Sequence, residues 1–120
     1  MKYMLMIYDN PDSRGIFFGE AGEGIRAEME ALMRELTDSG ELLYTEGLAD
    51  PSNSRTVRLR GGVPVVTDGP LAEAKEHFGG YLVLDCESAD RAVEVATRWP
   101  KAVLTAIEVR PIMGPGGAEP

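Results

Sequence analysis

The residues best suited to chemistry lie in one run, Asp68-Gly69-Pro70-Leu71-Ala72-Glu73-Ala74-Lys75-Glu76-His77-Phe78-Gly79-Gly80-Tyr81. It holds an acid at Asp68, a carboxylate at Glu73, an amine at Lys75 and, at His77, the one imidazole of the chain. Glu73 and His77 are four residues apart, so a helical turn would set them on a common face, where the carboxylate favours the imidazolium. Asp68 and His77 are therefore candidate acid–base catalysts, and Glu73 and Lys75 candidates for holding a ligand. The same residues suit plainer tasks: Asp68 can bond the backbone of its own turn, and Glu73, Lys75 and Glu76 can form a solvated surface.

Other constellations carry less. One His and one Cys nine residues apart, among scattered carboxylates, do not make a zinc site, and neither a metal nor another cofactor is expected. Cys86 has no His near it by local spacing and reads as a small packed hydrophobe. Gly19, Gly22 and Gly24 lack dinucleotide-binding spacing and read as loop formers. Arg55, Arg58 and Arg60 alternate on a hairpin, where a charged edge guards against strand pairing and anion binding is the second use.

The elements that must position these groups follow from periodicity. Residues 3–8 are apolar on both pleat faces, Tyr3, Leu5 and Ile7 on one and Met4, Met6 and Tyr8 on the other, which predicts a buried central strand. Asp9–Gly24 reads as a loop. A helix follows from about Glu23, carrying Ile25, Met29, Leu32, Met33 and Leu36, with Arg26 and Glu30 placed to pair on its wet face and Ser39-Gly40 as its stop. Leu42–Thr45 reads as a strand. Arg55–Arg60 and Val63–Thr67 flank Gly61-Gly62 as a hairpin, with Pro64 at an edge or in a bulge. Leu71–His77 suits one or two helical turns, Tyr81–Cys86 a two-faced strand, and Ser88 the cap of a helix ended by Pro100. Val103–Ile112 is the last strand. The order is β-α-β, an inserted hairpin, then β-α-β: an α+β, ferredoxin-like pattern over 1–112, with a flexible Gly/Pro-rich tail at 113–120.

Two helices cover only one face of such a sheet, yet its strands are apolar on both. Leu82, Leu84 and Cys86 belong under the helices, and Tyr81, Val83 and Asp85 look the other way with Met4, Met6, Tyr8, Glu108 and Arg110. A second copy roofing that face predicts a homodimer. Tyr8, Tyr81, Glu108 and Arg110 are then candidate ligand-binding residues beside the Asp68 loop. Arg110 would meet Glu108, Asp68 or an anionic ligand, or pair with a carboxylate at the dimer seam.

With its flanks Met1-Lys2-Tyr3-Met4, Thr56-Val57-Arg58 and Glu108-Val109-Arg110-Pro111, the Asp68 run resembles the DGPF family within the YCII-related proteins. Leu71 stands where that family has Phe, and His77 where Gln is usual. The resemblance implies a dimeric α+β barrel of ferredoxin-like protomers, with members that look like small cytoplasmic enzymes or ligand binders and whose genes often neighbour those of sigma factors. A His-Asp pair proposed as the site of other members has its His in the first helix. Here Arg26-Ala27-Glu28-Met29-Glu30 has none, and the pair does not carry over.

Composition bounds the rest. The 120 residues and 13.0 kDa make one domain, 43% hydrophobic and 27% charged, with a net charge of −8 and a pI near 4.6. Such a field repels phosphate backbones, so neither nucleic acid nor a membrane surface is an expected partner. The single thiol and the absence of a secretory core or an apolar span near the ~20 residues a bilayer needs predict a soluble, cytoplasmic protein. The function expected is a cofactor-independent lyase or isomerase on a small organic acid or aromatic. The alternative is a non-catalytic ligand-sensing or interaction protein linked to sigma-factor regulation.

Overall fold

A computed structural model describes residues 1–72 and 74–117. Its order is β1 (Lys2–Asp9), α1 (Pro11–Phe18), α2 (Glu23–Asp38), β2 (Leu42–Gly47), β3 (Arg55–Arg60), β4 (Val63–Asp68), β5 (His77–Asp85), α3 (Ala89–Arg98) and β6 (Ile107–Pro111). Four strands form an antiparallel sheet in the order β2-β5-β1-β6, the ferredoxin-like arrangement. β3 and β4 form a ribbon of their own, turned by Gly61 and Gly62 at φ 56° and 80°, which a two-residue hairpin loop of this hand requires.

The core lies between this sheet and α2 and α3. Alternation along β1 sends Tyr3, Leu5 and Ile7 into it, where they meet Leu82 and Leu84 of β5, Leu32 and Leu36 of α2, and Ala92 and Val95 of α3. Ser88 caps α3 as expected, its hydroxyl accepting from the Arg91 amide at 3.1 Å. Arg91 also grips Glu41 with two 2.8 Å bonds, tying α3 to the entrance of β2 and holding the Glu41 carboxyl at about 2.

The structure departs from the sequence reading in four places. Residues 9–24 are not all loop. Asn10 and Ser13 close a reciprocal cap with bonds of 2.8 and 2.9 Å, and α1 runs from Pro11 to Phe18. Arg26 does not pair with Glu30; it donates to the Phe17 and Gly19 carbonyls at the end of α1, and Glu30 lies 4.0 Å from Arg34. Among the described residues of 71–76 no helix forms, because β5 begins at His77 and draws the chain into the sheet. The last strand starts at Ile107, after a 3-10 turn over Pro100–Val103. Of the segment 113–120 expected as a tail, Met113–Gly117 are described and 118–120 lie outside the described residues. No helix among the described residues is long and apolar enough to cross a membrane.

Candidate functional site

The 3-10 turn that replaces the start of the last strand carries Lys101 inward. Its ammonium pairs with the carboxylate of Asp9, the last residue of β1 on the core-facing parity, and both side chains are nearly inaccessible, 8% and 2% exposed. Asp9 also accepts a 3.4 Å bond from the Ser13 hydroxyl, and the Lys101 ammonium lies 4.5 Å from the centre of the Phe17 ring. A β-bulge makes room for this carboxylate. β1 and β5 slip register between Ile7 and Tyr8, leaving Gly79 unpaired, and a Cβ on Gly79 would overlap the Asp9 carboxylate, only 2.9 Å from its carbon.

The pair forms one wall of a cavity of about 270 Å³ between α1, α2, the ends of β2 and β5, and the 99–101 turn. Phe17, Phe18, Met29, Met33 and Trp99 make its apolar lining, and Arg14 and Thr45 add polar groups. An aromatic box closed by one desolvated acid–amine pair can take a flat molecule with an oxygen at one edge, exchange a proton with it through Asp9 and hold negative charge against Lys101. Neither residue announced itself in the sequence. Asp9 opens the stretch that reads as a loop, although it continues the Tyr3, Leu5, Ile7 parity. Lys101 carried no local signal at all.

The residues singled out from the sequence fall into three groups. Tyr8, Tyr81, Glu108 and Arg110 do share the outer sheet face: the Tyr8 hydroxyl donates to Glu108 at 3.2 Å, Glu108 accepts from Arg110 at 3.0 Å, and Phe78 sits between Tyr8, which it meets edge-on, and Tyr81, which it meets tilted, with ring centres 6.1 and 6.2 Å away. Partial desolvation, then the Glu108 bond, push the Tyr8 phenol up, while Arg110 holds the Glu108 carboxyl low. His77 lies opposite Asp9, and directly paired residues share a face, so the bulge sets it on the helix side, away from Tyr81. Its Nε2 is buried with no partner among the described residues. It shares an open groove with Asp68, Pro70 and Asp50. Asp50 is held low by the Ser52 amide and hydroxyl, at 3.0 and 2.7 Å, and stands 3.8 Å from Arg14. Asp68 itself is open to solvent, 3.8 Å from Arg55. Lys75 is exposed in the strand-free segment before β5, and Glu73 lies outside the described residues. Among the described residues no group of three His, Cys, Asp or Glu is placed to hold a metal ion. Cys86 is buried, and burial pushes its thiol up, as for an inert packed cysteine.

Three likenesses bear on this arrangement. The chain is 29% identical over 114 residues to a protein of Rhizobium meliloti (strain 1021) described as uncharacterized protein R00369, covering 93% of this chain and 92% of that one. Its fold is similar to that of 5-chloro-2-hydroxyhydroquinone dehydrochlorinase (TftG) from Burkholderia phenoliruptrix AC1100, solved in complex with 2,5-dihydroxybenzoquinone, with a TM-score of 0.55 at 17% identity over 95% of this chain and 96% of that one. The model of the YCII-related domain matches residues 1–114, and with the ferredoxin-like sheet this places the chain in the YCII-related family.

Proposed function

We propose that the protein is a cofactor-independent enzyme, a lyase or isomerase, acting on a small oxygenated aromatic or organic acid in the Asp9–Lys101 cavity. The observation that carries this reading is the desolvated acid–amine pair on the wall of an aromatic cavity, since charges held away from water act on a bound molecule with little screening. A bound molecule with an acidic O–H or C–H beside a carbonyl gives its proton to the Asp9 carboxylate. The electron pair left behind places negative charge on the substrate oxygen, opposite the Lys101 ammonium. It then either takes a proton at another carbon, an isomerisation, or expels an anion from the neighbouring carbon, an elimination. Elimination from a hydroxylated ring is in keeping with the name of the dehydrochlorinase that shares the fold.

In this reading His77 serves two grooves beside the cavity, one shared with Asp68 and one that meets the cavity at Leu48, and exchanges protons there. Two copies pair through the outer sheet face, where Tyr8, Tyr81, Glu108 and Arg110 stand, and work in the cytoplasm. Thermal-shift screening with hydroxybenzoates, dihydroxybenzoquinones and small keto acids tests the proposal. At 100 times its Kd a ligand adds about 2.7 kcal/mol, roughly 8–14 °C here. Hits should lose their shift in Lys101→Met, and turnover of a hit should fall about 10²–10⁴-fold in Asp9→Asn. Hits that bind in the cavity without turnover would favour the sensing alternative; hits indifferent to Lys101→Met would move the site elsewhere.

A further inference from the structure

The β3–β4 ribbon leaves the body of the molecule with apolar surface in water. Its strands pair only with each other, and one face presents Val57 beside Val66 and Leu59 beside Pro64. Val57 and Leu59 are 60% and 71% exposed. A two-stranded ribbon has little stability of its own in water, and exposed valine and leucine on facing strands give it none to spare. The whole molecule shows the same incompleteness. Its radius of gyration is 16.4 Å and its extents 48 × 43 × 19 Å, whereas a compact chain of this length has a radius of about 14 Å. It is a sheet one helix layer thick with an arm.

Charge identifies what the arm meets. Residues 55–68 carry Arg55, Arg58 and Arg60 against Asp68, a net +2 in a chain of −8, which leaves −10 for the rest. Arg55 is engaged by Asp68 within the arm, whereas Arg58 and Arg60, on its other face beside Val65 and Val63, have no carboxylate within 4 Å among the described residues. A basic, apolar arm on an acidic body is complementary to another copy of itself, and a twofold axis lets both arms bind at once. We infer that the β3–β4 ribbon is a clasp that lies on the body of a second copy, its Val57–Leu59 face buried there and its net positive charge, carried by Arg58 and Arg60 on the opposite face, drawing it to that copy's acidic body.

The inference rests on the pairing of copies proposed above, and on nothing in the catalytic reading. Sedimentation equilibrium of the full chain tests it, with circular dichroism to confirm that each variant is folded. The wild type should sediment as a dimer that loosens as salt rises. The double variant Val57→Glu/Leu59→Glu should dissociate about 100-fold more readily. Arg58→Glu/Arg60→Glu should weaken the dimer and abolish most of its salt dependence, since the arm would then repel the acidic body. Met6→Glu probes the sheet face separately. A dimer weakened by Met6→Glu but untouched by both arm variants would overturn the clasp and leave sheet-face pairing standing. A wild type that is monomeric at tens of micromolar would overturn both, and an arm that binds only an unrelated partner would give the apolar face a different occupant.

Discussion

Replacing Lys101 by Met removes a charge from a place water does not reach. The methionine keeps most of the lysine stem but removes the ammonium, and with it the cation–π contact to Phe17. Asp9, 2% exposed, is left, among the described residues, with only the 3.4 Å bond from Ser13. Breaking a buried pair from one side costs about 3–5 kcal/mol, because the surviving charge is uncompensated. For a chain of 120 residues that is a loss of roughly 10–20 °C in Tm, a large part of the ~5–15 kcal/mol a domain holds. Removing the second charge as well relieves it: Asp9→Asn/Lys101→Met should recover at least ~2 kcal/mol of the loss, since a neutral amide beside Ser13 needs only an ordinary hydrogen bond. Urea denaturation of wild type, both single variants and the double variant gives the coupling directly. A single variant costing under ~1 kcal/mol, or a double variant no better than the single, would refute the idea that the pair is a buried, coupled unit.

Two further expectations concern the same framework. Gly79→Ala puts a methyl into the Asp9 carboxylate and should cost about 2–4 kcal/mol in urea and abolish any ligand shift, whereas Gly24→Ala, where nothing lies within 4 Å, should be neutral or mildly stabilising; equal behaviour would mean the bulge does not hold the carboxylate. At Glu41 the folded carboxyl titrates at about 2, below its ordinary 4.5, so the stability it contributes is present above pH 4.5 and drains away as pH falls to 2. Glu41→Gln should therefore cost about 1–3 kcal/mol at pH 7 and nearly nothing at pH 2, and a gap independent of pH would show that Arg91 does not act through charge.

Most of the fold was legible because it is written in alternation. Tyr3, Leu5 and Ile7 against Met4, Met6 and Tyr8, and Leu82 and Leu84 against Tyr81 and Val83, give both the strands and the faces the structure displays. The same kind of alternation puts Glu108 and Arg110 on the face of Tyr8, where the structure joins Tyr8 to Glu108 and Glu108, one of the partners foreseen, to Arg110. Helix α1 was hidden because its eight residues include Pro11 and Gly15 and bury only Ser13 and Phe17, too few for a period. What holds it is the local Asn10–Ser13 cap and, from the start of the next helix, Arg26 on the Phe17 and Gly19 carbonyls at its end. The Leu71–His77 turns were read from helix-forming residues, but the ladder from His77 to Asp9 wins over local propensity. Lys101 was unreadable in principle: nothing near Trp99-Pro100 says that a lysine there meets an aspartate ninety-two residues earlier.

A single unpaired residue divides the chemistry of this sheet between its two faces. Without the bulge at Gly79, His77 would keep the parity of Tyr81 and stand with Tyr8, Glu108 and Arg110. With it, His77 crosses to the side of Asp9. The two faces treat charge differently. On the outer face the Arg110 and Glu108 side chains are 63% and 41% exposed, where water and salt screen what they do to a neighbour. On the inner face Asp9 and Lys101 are shielded, the imidazole Nε2 has no partner among the described residues, and the aromatic walls of Phe17 and Trp99 stand alongside. Strong fields and unspent hydrogen-bonding capacity are what proton transfer needs, and broad, weakly polar aromatic surface is what a second copy needs. On the proposed reading, the bulge thus leaves the helix side to the reacting pair Asp9 and Lys101 and the outer side, with Met6 and Tyr81, to the pairing of copies.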